Sequence, residues 1–282
     1  MEYRRVTVRT RLAVLGSPIS HSLSPAIHAA AYGVLGLDWS YGAVDVTGES
    51  LSDFVSTRDD SWRGLSLTMP LKRDILPLLD SREELVQIVG AANTVLWSED
   101  GSVRGFNTDV YGVEQSFRDA GVHSLETVRI LGAGATAASV LTGVVRLGAT
   151  RVVICARTPS RATALELLGN RLGVELAIER WESVSGVVDA VVSTVPGGED
   201  LPNFTQRVRE SSVLFDVAYD PWPSARARSW SEVGGTVISG LDLLVNQAVG
   251  QIRIFVGGDP SVELHDEATV VTAMRAALHQ HE

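Results

Sequence analysis

The chain has 282 residues, enough for one or two domains with a sizeable core, and 45% hydrophobic with 21% charged residues excludes a disordered chain. Its 24 basic and 34 acidic residues leave a formal charge of −10, the wrong sign for a nonspecific nucleic-acid binder, so an anionic ligand must meet a locally built positive site. The single cysteine, Cys155, excludes an intramolecular disulfide and fits a reducing compartment; no apolar run of 18 residues is present, and Arg4, Arg5, Arg9 and Arg11 have no apolar stretch behind them, so neither a membrane span nor a secretory signal is expected.

Strand-like and helix-like segments alternate along most of the chain, which predicts an α/β architecture. Leu12–Leu15 is an apolar strand ended by Gly16. A polar loop with two prolines follows, and Ser24 reads as the N-cap of a helix with Pro25 as its first residue. Ile27, Ala30, Ala31, Val34 and Leu35 fall on one helical face, and Gly36 is the stop. Trp39–Val46 and Gly64–Thr68 read as strands, the latter halted at Pro70. A hairpin is predicted around Asp100-Gly101, between Thr94–Trp97 and Val103–Phe106. A helix starts near Asp109, with Val110, Val113, Phe117 and Ala120 on one side and Gly121 at its end.

A second α/β run opens with the strand Val128–Leu131. A helix carrying Val140, Leu141, Val144, Val145 and Leu147 follows, then a strand over Arg151–Cys155. Val187–Thr194, Val213–Val217 and Thr236–Ile238 are further strand candidates. After Gly240 the pattern turns helical through Phe255, and a last amphipathic helix is placed at Ser261–Leu278. Two final helices with no strand between them point to a return to the first domain or a cap on the interface.

Between the strand at 128–131 and its helix stand Gly132, Gly134 and Ala137, a G-x-G-x-x-A turn in the setting a dinucleotide-binding fingerprint requires. The first glycine permits the tight turn, the second lets backbone approach a pyrophosphate, and the small third residue lets helix pack on sheet. An NAD site places an acid about 20 residues past the first glycine, on the ribose 2′-hydroxyl. That region here holds Arg157 and Arg161 and no acid, which suits a 2′-phosphate and so NADP.

Ser22, Ser24, Thr68, Lys72, Asn93, Thr94, Asn107, Thr108, Asp109 and Gln247 stand at predicted strand ends or helix starts, where open α/β sheets gather ligand sites. Each alone has a structural explanation: a cap for Ser24 or Asp109, a turn for Asn93, a surface charge for Lys72. Together the segments Gly16-Ser-Pro-Ile-Ser-His-Ser-Leu-Ser-Pro25, Ser66-Leu-Thr-Met-Pro-Leu-Lys72, Gly90-Ala-Ala-Asn-Thr94 and Gly105-Phe-Asn-Thr-Asp109 resemble the signature segments of shikimate dehydrogenases. The resemblance continues through residues 132–137, 156–162, 193–196, 216–223 and 240–247, and so covers almost the whole chain in order.

That resemblance implies an N-terminal α/β substrate domain plus a Rossmann-type NADP-binding domain, with the C-terminal helices returning to the first domain. The expected boundaries are 1–108 with 241–282, and 109–240. It implies a cytoplasmic NADP-dependent oxidoreductase of the shikimate pathway, in aromatic amino acid biosynthesis, that reversibly reduces 3-dehydroshikimate to shikimate. The family's catalytic pair falls on Lys72 and Asp109. Its substrate-binding positions fall on Ser22, Ser24, Ser66, Thr68, Asn93, Thr108, Tyr219 and Gln247. Its cofactor-binding positions fall on Gly132, Ala133, Gly134, Ala135, Arg157, Thr158, Arg161, Thr194 and Gly240. No metal, nucleic acid or membrane partner is implied, and both a monomer and a homodimer remain open.

Departures from the family pattern are Ser66 in place of the usual Asn, Ala135 and Ala137 in the glycine turn, and Ala156 before the Arg157-Thr158 pair. Serine is shorter and lacks the amide's donors. Two rivals therefore stand beside the main reading. One is a dehydrogenase of the same family acting on quinate or an amino analogue of shikimate. The other is a non-catalytic NADP-binding sensor, which would have no need of Lys72 and Asp109.

Overall fold

A computed structural model describes residues 10–181, 186–195 and 203–278. Arg4, Arg5, Arg9 and Pro196 lie outside the described residues. The chain divides into two compact units, Met1–Thr108 with Ala248–Glu282, and Asp109–Gln247. The second crossing falls seven residues beyond the 240/241 boundary expected from the sequence, inside a continuous helix.

In the first unit, β1 (Thr10–Gly16) lies between β2 (Trp39–Asp45) and β3 (Trp62–Leu67), parallel to both. The strands β5 (Thr94–Trp97) and β6 (Val103–Phe106) form the expected hairpin, antiparallel to each other, with β5 antiparallel to β3, and the short β4 (Ser81–Arg82) completes a six-stranded sheet. Helices α1 (Ser24–Val34), α2 (Gly48–Ser56), α3 (Leu71–Asp74) and α4 (Glu84–Val89) belong to this unit; only α1 is predicted by the sequence. Leu15, Leu51, Leu65, Leu71, Ile75 and Val95 form its core.

Two expectations for α1 need correction. Ser24 is the first helical residue, not the cap; Leu23 occupies the cap and its side chain makes no capping bond. The buried stripe is Ser24, Ile27, His28, Ala31 and Tyr32, while Val34 is exposed. The helix has turned toward its polar neighbours because His28 and Tyr32 find hydrogen-bond partners inside, which removes the penalty that otherwise keeps them out.

In the second unit six strands are all parallel: β7 (Thr127–Leu131), β8 (Arg151–Ala156), β9 (Glu175–Arg180), β10 (Ala190–Ser193), β11 (Val213–Asp216) and β12 (Val237–Ser239). Their spatial order is β12-β11-β10-β7-β8-β9, the doubly wound dinucleotide-binding topology, with its switch point between β7 and β10. Central strands such as β10 are buried along their whole length because helices cover both faces, which is why they read as unbroken apolar runs. β10 begins at Ala190, not at the expected Val187, which is exposed.

Helices α5 (Asp109–Asp119), α6 (Ala135–Arg146) and α7 (Thr163–Leu172), with the short α8 (Gln206–Ser211) and α9 (Ala225–Ser231), complete this unit. Gly143 lets α5 and α6 approach closely: a methyl group there would lie 2.9 Å from Val113 Cγ1. Phe117 of α5 meets Phe215 of β11 edge-on. Helix α10 (Gly240–Gly257) starts in this unit and runs into the first; α11 (Glu267–Leu278) starts six residues after the expected Ser261 and packs on α1. Among the described residues no helix is long and apolar enough to cross a membrane.

Candidate active site

Strand direction gathers the candidate residues of the first unit on one edge. β1 and β3 are parallel neighbours, so the loops after Gly16 and after Leu67 leave the sheet side by side. Ser17 N–H donates to Met69 O at 3.1 Å, and Thr68 N–H donates to Leu15 O at 2.9 Å. A side chain on Gly16 would lie 2.9 Å from Met69 O, so this position has room only for glycine. The first loop carries Ser22 and Ser24, with Ser24 N–H donating to Ser22 Oγ at 3.3 Å. The second carries Thr68 and Lys72, the latter half-buried on α3.

The antiparallel β5 begins where β3 ends, and β6 ends where β5 begins, so Asn93 and Thr108 reach the same edge. Asn93 Oδ1 accepts from Thr108 N–H at 2.9 Å, and Asn93 Nδ2 donates to Thr108 Oγ1 at 3.0 Å. The backbone of Ala92 donates to Lys72 O at 2.8 Å, tying the lysine's turn to the segment that carries Asn93. Ser66, Asn93 and Thr108 are all buried. The structure thus brings Ser22 with Ser24, and Asn93 with Thr108 and the Lys72 turn, into hydrogen-bonded groups.

Behind this edge lies a buried polar network that the sequence reading overlooked. Tyr41 O–H donates to Ser66 Oγ at 2.6 Å, and Ser66 O–H donates to Gln251 Oε1 at 2.9 Å. His28 Nε2 is 3.2 Å from the same Gln251 oxygen, and its Nδ1 is 3.1 Å from the Tyr32 hydroxyl. The His28 ring stacks on Tyr41 with centroids 3.8 Å apart. Burial lowers the His28 pKa to about 3, against a weaker upward pull from Gln251. Burial likewise holds the Tyr41 phenol well above its usual range. One signal for this network was available: His28 lies in the middle of an otherwise apolar helix.

In the second unit the candidate residues stand at the C-terminal ends of the parallel strands. Gly132 follows β7 with φ 109°, a conformation that favours glycine, and its N–H donates to Cys155 O at 2.9 Å. Gly134 is the N-cap of α6; it is exposed, and a methyl group on it would have no protein atom within 4 Å. Exposed N–H groups at a helix start beside open space suit a pyrophosphate. Thr194 follows β10 and its hydroxyl donates to Leu131 O at 2.9 Å.

Arg157, Thr158 and Arg161 share the turn after β8, and both arginines are exposed. The Arg157 guanidinium lies 6.0 Å from the centre of the buried Trp181 ring. Tyr219 stands in the segment after β11, half-buried; burial, then the neighbouring Asp220, raises its pKa. Gly240 opens α10 directly after β12, and a side chain on it would strike Val217 O. Asp109 is the buried first residue of α5. Gln247, buried on α10, donates to Leu244 O at 2.8 Å.

Also unforeseen is a tie across the ends of β10 and β11. Asp216 Oδ2 accepts from Ser224 O–H at 2.6 Å, and Ser224 Oγ accepts from Ala227 N–H at the start of α9. Arg226 Nη1 lies 3.7 Å from Asp216 Oδ1 and donates to Ser193 Oγ. Cys155 is buried with its pKa pushed up to about 11 by burial, which leaves an inert thiol. Among the described residues no cluster of His, Cys, Asp and Glu could hold a metal ion.

Comparison with known proteins agrees with this arrangement. Residues 14–95 match the family described as "Shikimate dehydrogenase substrate binding domain". The chain is 35% identical over 273 residues to the shikimate dehydrogenase (NADP(+)) of Rubrobacter xylanophilus, covering 93% of this chain and 96% of that one. It is similar to the structure of shikimate 5-dehydrogenase from Thermus thermophilus in complex with NADP(H) and shikimate: TM-score 0.79, 30% identity, 95% of this chain and 99% of that one. It is also similar to quinate dehydrogenase from Corynebacterium glutamicum in complex with NAD: TM-score 0.82, 25% identity, 96% and 99% coverage.

Proposed function

Because the chain belongs to the shikimate dehydrogenase family, we propose that it catalyses the reversible NADP-dependent reduction of 3-dehydroshikimate to shikimate, as a cytoplasmic enzyme. The observation that carries this reading is likeness over nearly the whole chain to a named NADP-dependent relative, with Lys72 and Asp109 both in place.

The residues present fit the cofactor. Backbone at Gly132, Ala133, Gly134 and Ala135 would hold its pyrophosphate, with open space at Gly134 and the start of α6 behind it. Arg157, Thr158 and Arg161 would hold the 2′-phosphate, and Thr194 and Gly240 stand at the ends of β10 and β12 in the same sheet. NADPH, when bound, supplies a hydride to the ketone carbon.

Negative charge then develops on the ketone oxygen, and this chain must supply a proton there. Lys72 donates it, and its ammonium stabilises the charge as it forms. Asp109 hydrogen-bonds the reacting hydroxyl and helps relay the proton. In the oxidative direction the same proton returns from the substrate hydroxyl. Ser22 and Ser24 hydroxyls take the substrate carboxylate. Thr68, Asn93 and Thr108 meet its ring hydroxyls, joined by Tyr219 and Gln247.

The alternative of a quinate dehydrogenase rests on Ser66 in place of Asn. Against an NAD-dependent form stands the absence of any acid in residues 157–161. The test follows reduced-cofactor absorbance with shikimate and quinate, each offered with NADP and NAD. Preference for shikimate with NADP supports the proposal. Preference for quinate or NAD keeps the family and overturns the specificity reading. Tight NADPH binding with no turnover points to a sensor.

A further inference from the structure

Gln251 is a buried amide on α10 with three polar neighbours in the first unit. Its Nε2 donates to Asn93 O at 3.3 Å. A backbone carbonyl can only accept, so this contact fixes which end of the amide is nitrogen. The other end, Oε1, must therefore accept from everything around it.

That one constraint sets the polarity of the whole network. Ser66 O–H points to Gln251 Oε1. His28 Nε2 must carry its hydrogen toward the same oxygen, so Nδ1 is bare and accepts from the Tyr32 hydroxyl. Tyr41 donates to Ser66 Oγ, because the Ser66 proton is already committed. Ser66 thus has no donor left for a ligand; it keeps one acceptor lone pair. Asn93 O is filled as well, taking Leu67 N–H at 2.8 Å beside the Gln251 amide.

We infer that Gln251 is a positioning residue of the substrate cradle, one amide that holds Ser66 with its oxygen and Asn93 with its nitrogen. Asn93 in turn grips Thr108 through both side-chain atoms, so the Gln251 amide sets three candidate substrate contacts at once. Each of these bonds lies within the first unit. This inference rests on the proposal that shikimate binds the first unit.

The test compares wild type, Gln251→Met, Ser66→Ala and the double variant, with shikimate and NADP varied separately. Methionine keeps the volume and removes both polar atoms. Gln251→Met is expected to raise the shikimate KM tenfold or more, leave the NADP KM within about twofold, and change kcat by less than about threefold, as loss of uniform binding does. In the double variant the rise should fall short of the product of the single rises, because one group acts through the other.

Tyr41→Phe, which keeps the ring stacked on His28, gives a second route should Gln251→Met fail to fold; a shikimate-only rise in KM is expected again. An unchanged shikimate KM, an equal rise in both KM values, or rises that multiply cleanly would each overturn the inference. A wild type that does not turn over shikimate overturns the functional proposal itself, and this inference with it.

Discussion

Gly132 and Thr194 face each other so closely that a methyl group on the glycine would lie 2.5 Å from the threonine Oγ1. The end of β10 therefore closes one side of the glycine turn after β7, at the switch point of the parallel sheet. The two glycines of the turn differ in what they protect. Gly132 is hemmed in by protein; Gly134 faces space that no protein atom fills.

Substitution separates the two. Gly132→Ala meets both a clash and a φ of 109°, and should destabilise the fold by about 1–3 kcal/mol or more. Gly134 has φ −87°, which alanine adopts freely, but alanine is the poorer N-cap, so Gly134→Ala should cost no more than about 1 kcal/mol. Its NADP affinity should nevertheless fall at least tenfold, because the added methyl occupies the pyrophosphate's approach. Urea unfolding and cofactor titration measure both; retained affinity in Gly134→Ala would place the pyrophosphate elsewhere.

Lys72→Ala should lower kcat by roughly 10²–10⁴-fold, the range for a lost general acid. Its unfolding midpoint should stay near that of wild type, since Lys72 is only half-buried on a one-turn helix. Turnover close to normal would remove Lys72 from the mechanism.

Arg157→Ala and Arg161→Ala together should raise the NADP KM by roughly 10²–10⁴-fold and leave the NAD KM nearly unchanged. Each charge-assisted contact with a phosphate is worth about 1.5–3 kcal/mol, and 1.4 kcal/mol is a factor of ten. Both guanidinium groups are exposed, so little stability is lost with them. Equal effects on NADP and NAD would show that the arginines do not read the 2′-phosphate.

His28 predicts a pH dependence of stability. Burial holds it neutral, with its pKa lowered to about 3 from an ordinary 6.5. Between those values the unfolded chain takes up a proton that the folded chain refuses. Its contribution is therefore complete above about pH 6.5 and is lost progressively as the pH falls toward 3. In His28→Gln, the slope of unfolding free energy against pH between 4 and 6 should be smaller by about 1.4 kcal/mol per pH unit, the value for one proton. Identical slopes would show that His28 is not the group responsible.

The dinucleotide turn was legible because its requirements are local: a strand, two glycines, a small residue and a helix, contiguous in the chain. The 94–106 hairpin was legible for the same reason, its turn chemistry standing between two strand-like runs. Helices α2, α4 and α7 and strand β9 escaped notice, their faces being short and mixed. Strand β9 at the sheet edge reads ELAIER, with half of its residues charged, because its outer side faces water.

Sequence by itself determined the α/β alternation, the acidless stretch after β8 that favours NADP, and the chemical identity of Lys72 and Asp109. What only the tertiary structure decided is the role of polar residues buried far apart in the chain. Tyr41, Ser66 and Gln251 share one network although 185 residues separate Ser66 from Gln251. Periodicity marks which face of an element is apolar, so it placed the stripe of α1 without His28. A buried polar side chain is stable only with a partner, and that partner is supplied by the packing of distant elements, which no local pattern records.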